Sequence, residues 1–192
     1  MPRQTQLALL TLVFVVTLAG CRDGRQPAKV ESLREHLTEL TATAQSWRPD
    51  AYLADAHIPL QDGNPTEWAI SAGFQSPTES GESLLVTVGK DGSIAMERVP
   101  HTIPVIQTEP FTDADWELDS AEALEAALDE TGRQFLEDHI ERQCSFMVLE
   151  RSFELPGRPV VWWLRLRECL GGGDYDQLTV IDARTGEVLI RR

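Results

Sequence analysis

The sequence is poor in basic residues, and this limits the partners that the protein can bind. Its 192 residues include 17 lysines and arginines against 31 aspartates and glutamates, a formal net charge of −14 at pH 7. So acidic a surface repels nucleic acid and anionic lipid headgroups. We therefore expect no nucleic acid partner, and no attachment to a membrane through a basic patch.

Histidine and cysteine are also scarce, which argues against a metal centre. The four histidines are scattered and none has cysteines at the spacing of a zinc site; they are His36, His57, His101 and His139. The sequence contains no HExxH or G-x-S-x-G motif, no Walker loop and no dinucleotide fingerprint. The glycine run at 171–173 lacks the lysine and the following helix of a phosphate loop. We predict no metal, no cofactor and no enzymatic activity.

A long apolar run lies near the start of the chain, at residues 7–18. It follows Arg3 and ends in small residues, the order typical of an export signal. The run is shorter than the roughly 20 residues that span a bilayer. Its end, Leu18-Ala19-Gly20-Cys21, resembles the lipobox of bacterial lipoproteins. An ordinary secretory signal with an incidental cysteine is the alternative.

The lipobox resemblance implies how the protein is held in the cell envelope. Residues 1–20 would be the signal peptide, Cys21 would carry the lipid (palmitate among its acyl chains), and the polar segment 21–29 would be a tether. Two or more acyl chains anchor a protein stably, whereas one does not. Because Arg22 rather than aspartate follows the cysteine, the family's sorting rule points to the outer membrane, facing the periplasm, in a host with two membranes.

The rest of the chain shows internal sequence similarity that indicates two related units. Residues 58–98 align without a gap with residues 152–192, so that Gly63 matches Gly157 and Trp68 matches Trp162. Leu84, Val86 and Gly92 match Leu178, Val180 and Gly186 in the same alignment. Internal similarity of this kind is typical of a duplicated unit. We predict one unit at 30–98, a proline-containing linker at 99–118 and a second unit at 119–192.

Each unit reads as a helix followed by antiparallel strands, which predicts an α+β fold. Apolar residues recur every three or four positions from Val30 to Trp47, and Pro49 ends that helix. Asp119 and Glu122 can form a capping box at the start of the second helix, which Gly132 would break. The predicted strands cover 51–58, 67–75, 83–89 and 93–98 in the first unit. In the second they cover 145–154, 159–168, 177–182 and 187–191.

The hairpin around 155–158 predicts a disulfide bond. A turn centred there pairs Met147 with Leu166, Leu149 with Leu164 and Phe153 with Val160 on one apolar face. The same register places Cys144 directly opposite Cys169. Because exported proteins fold in oxidising compartments, we predict that these two cysteines are bonded.

The segment 178–189, LTVIDARTGEVL, resembles the closing motif of PepSY domains. The resemblance covers about 119–192 and extends more faintly to 28–98. PepSY-like domains are exported or membrane-attached and non-catalytic, and some restrain peptidases. The resemblance therefore implies a non-enzymatic module. Asp182 and Gly186 match the motif, and we interpret both as turn-forming residues.

The outward face of the predicted hairpin carries the residues best suited to a partner. Trp163 lies between apolar neighbours and close to Arg165 and Arg167, and Trp and Arg are favoured at interface hot spots. The alternative is that the other unit, or the linker with Trp116, covers this face. We predict a lipid-anchored envelope protein that binds or inhibits a protein partner. The alternative function is that of a structural or accessory subunit of an envelope complex, and an unrecognised enzyme ranks third.

Overall fold

The computed structural model describes residues 30–60, 67–101, 108–112, 114–139, 144–169 and 176–192. Cys21, the tether and the glycine run therefore lie outside the described residues. The described helices are α1 (Leu33–Trp47), α2 (Ser120–Ala127) and α3 (Glu130–Asp138). The strands are β1 (Tyr52–Pro59), β2 (Trp68–Ser76), β3 (Glu79–Gly89), β4 (Ile94–Pro100), β5 (Phe146–Arg151), β6 (Val160–Arg167), β7 (Asp176–Asp182) and β8 (Val188–Arg191). The predicted α+β class is confirmed.

All eight strands form one antiparallel sheet in the order β4-β3-β2-β1-β5-β6-β7-β8. Each half of the chain contributes four consecutive strands, and the halves meet where β1 pairs with β5. This pairing places Asp55 opposite Glu150 and His57 opposite Val148. Residues from the two halves thus become neighbours at the centre of the sheet.

The helices lie on one face of the sheet and bury it. Buried residues of α1, α2 and α3 form a single apolar cluster with strand residues such as Ile58, Ile70, Val86 and Leu164. Helix α1 packs over β1, β2 and β3, whereas α2 and α3 pack over β6 and β7. The two halves therefore share one hydrophobic core as well as one sheet.

The N-termini of α1 and α2 satisfy each other's hydrogen bonds. The Asp119 carboxylate accepts from the Ser32 hydroxyl and from the Arg34 backbone N–H, while the Ser120 hydroxyl donates to the Glu31 carbonyl. Glu122 accepts from the Asp119 backbone N–H at 3.0 Å, as expected for the predicted capping box. Since helix N-termini leave N–H groups without helical partners, these bonds stabilise both helices and join the halves.

The segment before α2 belongs to the core. Phe111 and Trp116 are 6% and 1% exposed, and Trp116 meets Trp162 edge to face, with ring centroids 6.3 Å apart. The Trp162 indole donates to the Leu118 carbonyl at 2.9 Å, and the guanidinium of Arg34 lies 4.9 Å from the Trp116 ring. The alternative that Trp116 covers Trp163 is therefore wrong, because Trp116 lies on the helical side of the sheet.

Two predictions about the second half need correction. Gly132 lies inside α3 and does not break a helix; the break falls at Leu128–Asp129, and Asp129 caps α3. A Cβ atom at Gly132 would lie 3.0 Å from Leu166, so this glycine allows α3 to approach β6 closely. The gap-free alignment is also wrong at β7, because Val86 faces the helices whereas Val180 faces the other side.

The turn chemistry of the closing motif is confirmed. The Asp182 carboxylate accepts from the backbone N–H groups of Arg184 and Thr185, at 2.9 and 2.8 Å. Gly186 has φ 76°, a conformation that side chains disfavour. These two residues are thus turn-forming, as predicted.

Candidate functional site: the open face of the sheet

No described helix packs on the sheet face opposite the core. We call this surface the open face. Along its centre run Asp55 and His57 of β1, Val148 and Glu150 of β5, and Val161 and Trp163 of β6. Antiparallel sheets often cover one face and leave the other in solvent, but such faces are normally polar. Here the second half instead places Trp163 on the open face, together with Val148, Val161 and Val180, which are buried although they lie outside the helical core.

An irregular hairpin adds a further aromatic residue to this face. The predicted turn exists, since the Arg158 backbone N–H donates to the Leu155 carbonyl. The strands, however, pair Met147 with Leu164 and Arg151 with Val160. The predicted register is therefore wrong by two residues, because Phe153 and Glu154 form an extra loop on one side of the turn. Phe153, which was predicted to face the core, is therefore 47% exposed.

The shift leaves the predicted core face and disulfide intact. A two-residue slip keeps alternate side chains on the same face, so Met147, Leu149, Leu164 and Leu166 are all buried. Cys144 lies opposite Arg167, whose carbonyl accepts from the Cys144 backbone N–H. The Cys144–Cys169 disulfide is nevertheless present, with a Cα–Cα distance of 5.0 Å. It joins the ends of the hairpin diagonally.

A groove of about 410 Å³ lies on the open face beside this loop. Its apolar lining comes from Phe146, Val148, Phe153, Trp163 and Leu178, and its polar lining from His57, Glu150, Glu154 and Arg165. The ring of His57 stacks on Phe146 with centroids 6.4 Å apart. Side chains from β1, β5, β6, β7 and the loop therefore converge on one shallow depression.

Trp163 lines the groove beside Glu150, and its indole N–H makes no well-formed hydrogen bond. Its Nε1 atom is buried and has no acceptor within hydrogen-bond geometry. The carboxyl of Glu150 is close enough for the Trp163 indole to lower its pKa, although less than burial raises it. A buried N–H without a good acceptor costs free energy.

The two arginines predicted to join Trp163 differ in position. Arg165 lines the groove, and its guanidinium donates to both carboxylate oxygens of Asp176 at 2.8 and 2.5 Å. The Asp176 carboxylate raises the pKa of Arg165 and has its own pKa lowered in return. Arg167 is exposed farther along β6 and does not line the groove. The positive charge at the groove is therefore already neutralised.

Two acidic residues lie on neighbouring strands at the groove, and sequence reasoning missed them. Asp55 lies directly opposite Glu150, and the Asp55 carboxylate is 3.6 Å from the His57 Nε2 atom. A Cβ atom at Gly73 would lie 2.7 Å from an Asp55 oxygen, so only glycine leaves this carboxylate room over β2. Because side chains alternate between the two faces of a strand, Asp55 and His57 lie on one face of β1. Their proximity to Glu150 required the β1–β5 pairing, which no local pattern contains.

Both members of this pair hold protons more tightly than usual. Burial raises the pKa of Asp55 above its ordinary value of 3.8, and His57 partly offsets this. Burial also raises the pKa of Glu150 above 4.5, and the negative charge of Asp55 adds to it. A carboxyl with a raised pKa favours the folded state at low pH, and this contribution is lost as the pH rises through the raised pKa. At neutral pH the pair therefore opposes folding.

We expect the double variant Asp55→Asn/Glu150→Gln to be more stable than the wild type at pH 7.5. Cross-strand side-chain pairs contribute roughly 0.2–1 kcal/mol when favourable, and like charges directly opposite each other are destabilising. The advantage should shrink as the pH falls towards 4, because the wild-type carboxyls then become protonated. Urea unfolding between pH 7.5 and 4 measures it. Asp91→Asn is the control, since hydrogen bonds from Ser93 lower the pKa of Asp91 and its removal should not stabilise. A double variant that is less stable at pH 7.5 would contradict the expectation.

The described residues contain neither a cluster of three metal-ligating side chains nor a helix long and apolar enough to span a bilayer. Of the predicted site residues that the structure describes, Trp163 and Arg165 lie together in the groove and the two cysteines lie together at the hairpin end. Arg167 lies apart from both.

Comparisons with known proteins add little to this geometry. No family model matches the chain, and no curated protein is similar to it. The PepSY resemblance thus rests on the sequence motif alone. Among solved structures, the crystal structure of a proposed lipoprotein (CD1622) from Clostridium difficile 630 matches with a TM-score of 0.48 and 10% identity. The match covers 87% of this chain and 95% of the other. At this level it assigns neither a family nor a function.

Proposed function

We propose that the protein is a lipid-anchored, PepSY-like module of the cell envelope whose open face binds another protein. The lipobox at Leu18–Cys21 supports the anchor, and the motif at 178–189 supports the PepSY-like character. The groove around Trp163 is the observation that carries the binding role. Tryptophan in an apolar depression with a polar surround is the usual composition of an interface hot spot.

The shape of the groove favours binding over catalysis. The Asp55–Glu150 pair has perturbed pKa values, which also occur in active sites. The Asp55 side chain is, however, 38% exposed, and the groove is a shallow depression on a sheet rather than an enclosed cleft. Catalytic carboxylates act most strongly where water is excluded. A surface of this shape is better suited to a side chain of a protein partner.

The variant Trp163→Ala tests this role. Both proteins are crosslinked in the native host and captured from the membrane fraction. The variant should yield at least tenfold less complex than the wild type, since hot-spot truncations cost about 2 kcal/mol or more. Met96→Ala is a matched control, because Met96 is 62% exposed on β4, away from the groove. Circular dichroism should show that both variants fold. Equal recovery of the same complex from both variants would overturn the proposal.

A further inference from the structure

The charges around the groove specify the kind of segment that it fits. Glu150 and Glu154 line the groove, and Asp55 lies directly opposite Glu150. Arg165 is engaged by Asp176, and the Arg158 guanidinium lies 5.6 Å from the Phe153 ring on the loop. The Nε2 atom of the His57 ring lies 3.6 Å from the Asp55 carboxylate. The groove thus combines an apolar floor with carboxylates that outnumber the cations available to them.

We propose that the groove binds a partner segment in which a lysine or arginine lies beside a large apolar side chain. This inference rests on the proposed protein-binding role. The apolar side chain would lie against Trp163 and Phe153, and the cation would lie beside Glu150, with Asp55 on the adjacent strand. A cation there is attracted by both carboxylates and offsets the repulsion between them.

The same arrangement disfavours other occupants. A segment rich in aspartate or glutamate would meet Asp55, Glu150 and Glu154, and like-charge contacts in an interface cost affinity. A neutral apolar segment would cover the carboxylates without pairing them, and buried unpaired charge is costly. Aromatic rings also attract cations, which adds to the preference for a lysine or arginine.

Three matched peptides test the inference with the full chain, isolated in detergent. Each alternates leucine with one other residue, which is lysine, glutamine or glutamate, and carries a fluorescent label for anisotropy. At pH 7.5 the lysine peptide should bind the wild type at least tenfold more tightly than the glutamine peptide. The glutamate peptide should bind most weakly. In Asp55→Asn/Glu150→Gln the lysine and glutamine peptides should bind within about twofold of each other, because the pair that selects the cation is gone.

A charge-matched control separates the pair from the overall acidity of the protein. Glu130→Gln/Glu137→Gln removes the same charge from exposed positions on α3 and should keep the tenfold preference. Glu154→Gln, at the loop, should lower the preference partly and serves as a second test if the double variant fails to fold. Equal lysine and glutamine binding by the wild type, or a preference that survives in Asp55→Asn/Glu150→Gln, would overturn the inference. So would the absence of binding at millimolar peptide.

Failure of this inference and failure of the proposed function give different results. If the lysine and glutamine peptides bind equally and Trp163→Ala weakens both, the groove binds proteins without selecting a cation. If Trp163→Ala leaves lysine binding unchanged, the groove is not the site, and both proposals fail.

Discussion

Replacing Trp116 with alanine should lower the free energy of unfolding by about 3–5 kcal/mol, a large part of the protein's stability. Trp116 is 1% exposed and packs edge to face against Trp162. It also lies beneath the guanidinium of Arg34 from the other half of the chain. Its removal leaves a cavity between α1 and β6. The cavity should persist, because the helix and the strand on either side cannot move together to fill it.

Thermal or urea unfolding measures this effect. For a chain of this size, the loss corresponds to a fall in Tm of about 10 °C. Phe153→Ala is the control, since Phe153 is 47% exposed and its loss should change stability by less than about 0.5 kcal/mol. Equal, small effects of the two substitutions would mean that the segment before α2 is a linker, as its prolines suggest, and not part of the core.

Removing the disulfide should cost the next largest amount, about 3 kcal/mol. Cys144 and Cys169 are 25 residues apart, so the bond removes much of the freedom of the unfolded hairpin. It also holds together the ends of β5 and β6, which carry the groove. We expect Cys144→Ser/Cys169→Ser to unfold at a Tm lower by roughly 6–12 °C.

Reduction provides the matched control for this second expectation. The wild type in reductant should unfold like the double serine variant, and the variant itself should not respond to reductant. Identical unfolding midpoints for oxidised and reduced wild type would show that the bond does not stabilise the fold. Labelling of both thiols in the unreduced, exported protein would show that the bond does not form.

Local chemistry made much of this fold predictable. Alternation of apolar residues located the strands to within a few residues, and turn residues such as Asp182 and Gly186 located a connection. The disulfide followed from the hairpin even though the register was wrong. The wrong register came from the two extra residues Phe153 and Glu154, because nothing in their sequence distinguishes a loop from a continued strand.

Contacts between the halves were beyond sequence reasoning. The segment with Trp116 resembles a linker in composition, and only its packing against α1 and β6 places it in the core. The site shows the same limit. Alternation placed Trp163 and Arg165 on the outer face of the hairpin, but the acidic pair depends on β1 lying beside β5. Long-range pairing of this kind leaves no periodic signal in either strand.

Light-activated crosslinking from single positions in the native host tests the open face most directly. A photoreactive residue at Leu178 or at Phe153 would lie in the groove, whereas one at Ala121 would lie on the exposed side of α2, across the sheet. We expect Leu178 and Phe153 to give the same crosslinked protein, Ala121 not to give it, and Trp163→Ala to remove the product. Crosslinking from Ala121 with none from the groove would contradict binding at the open face.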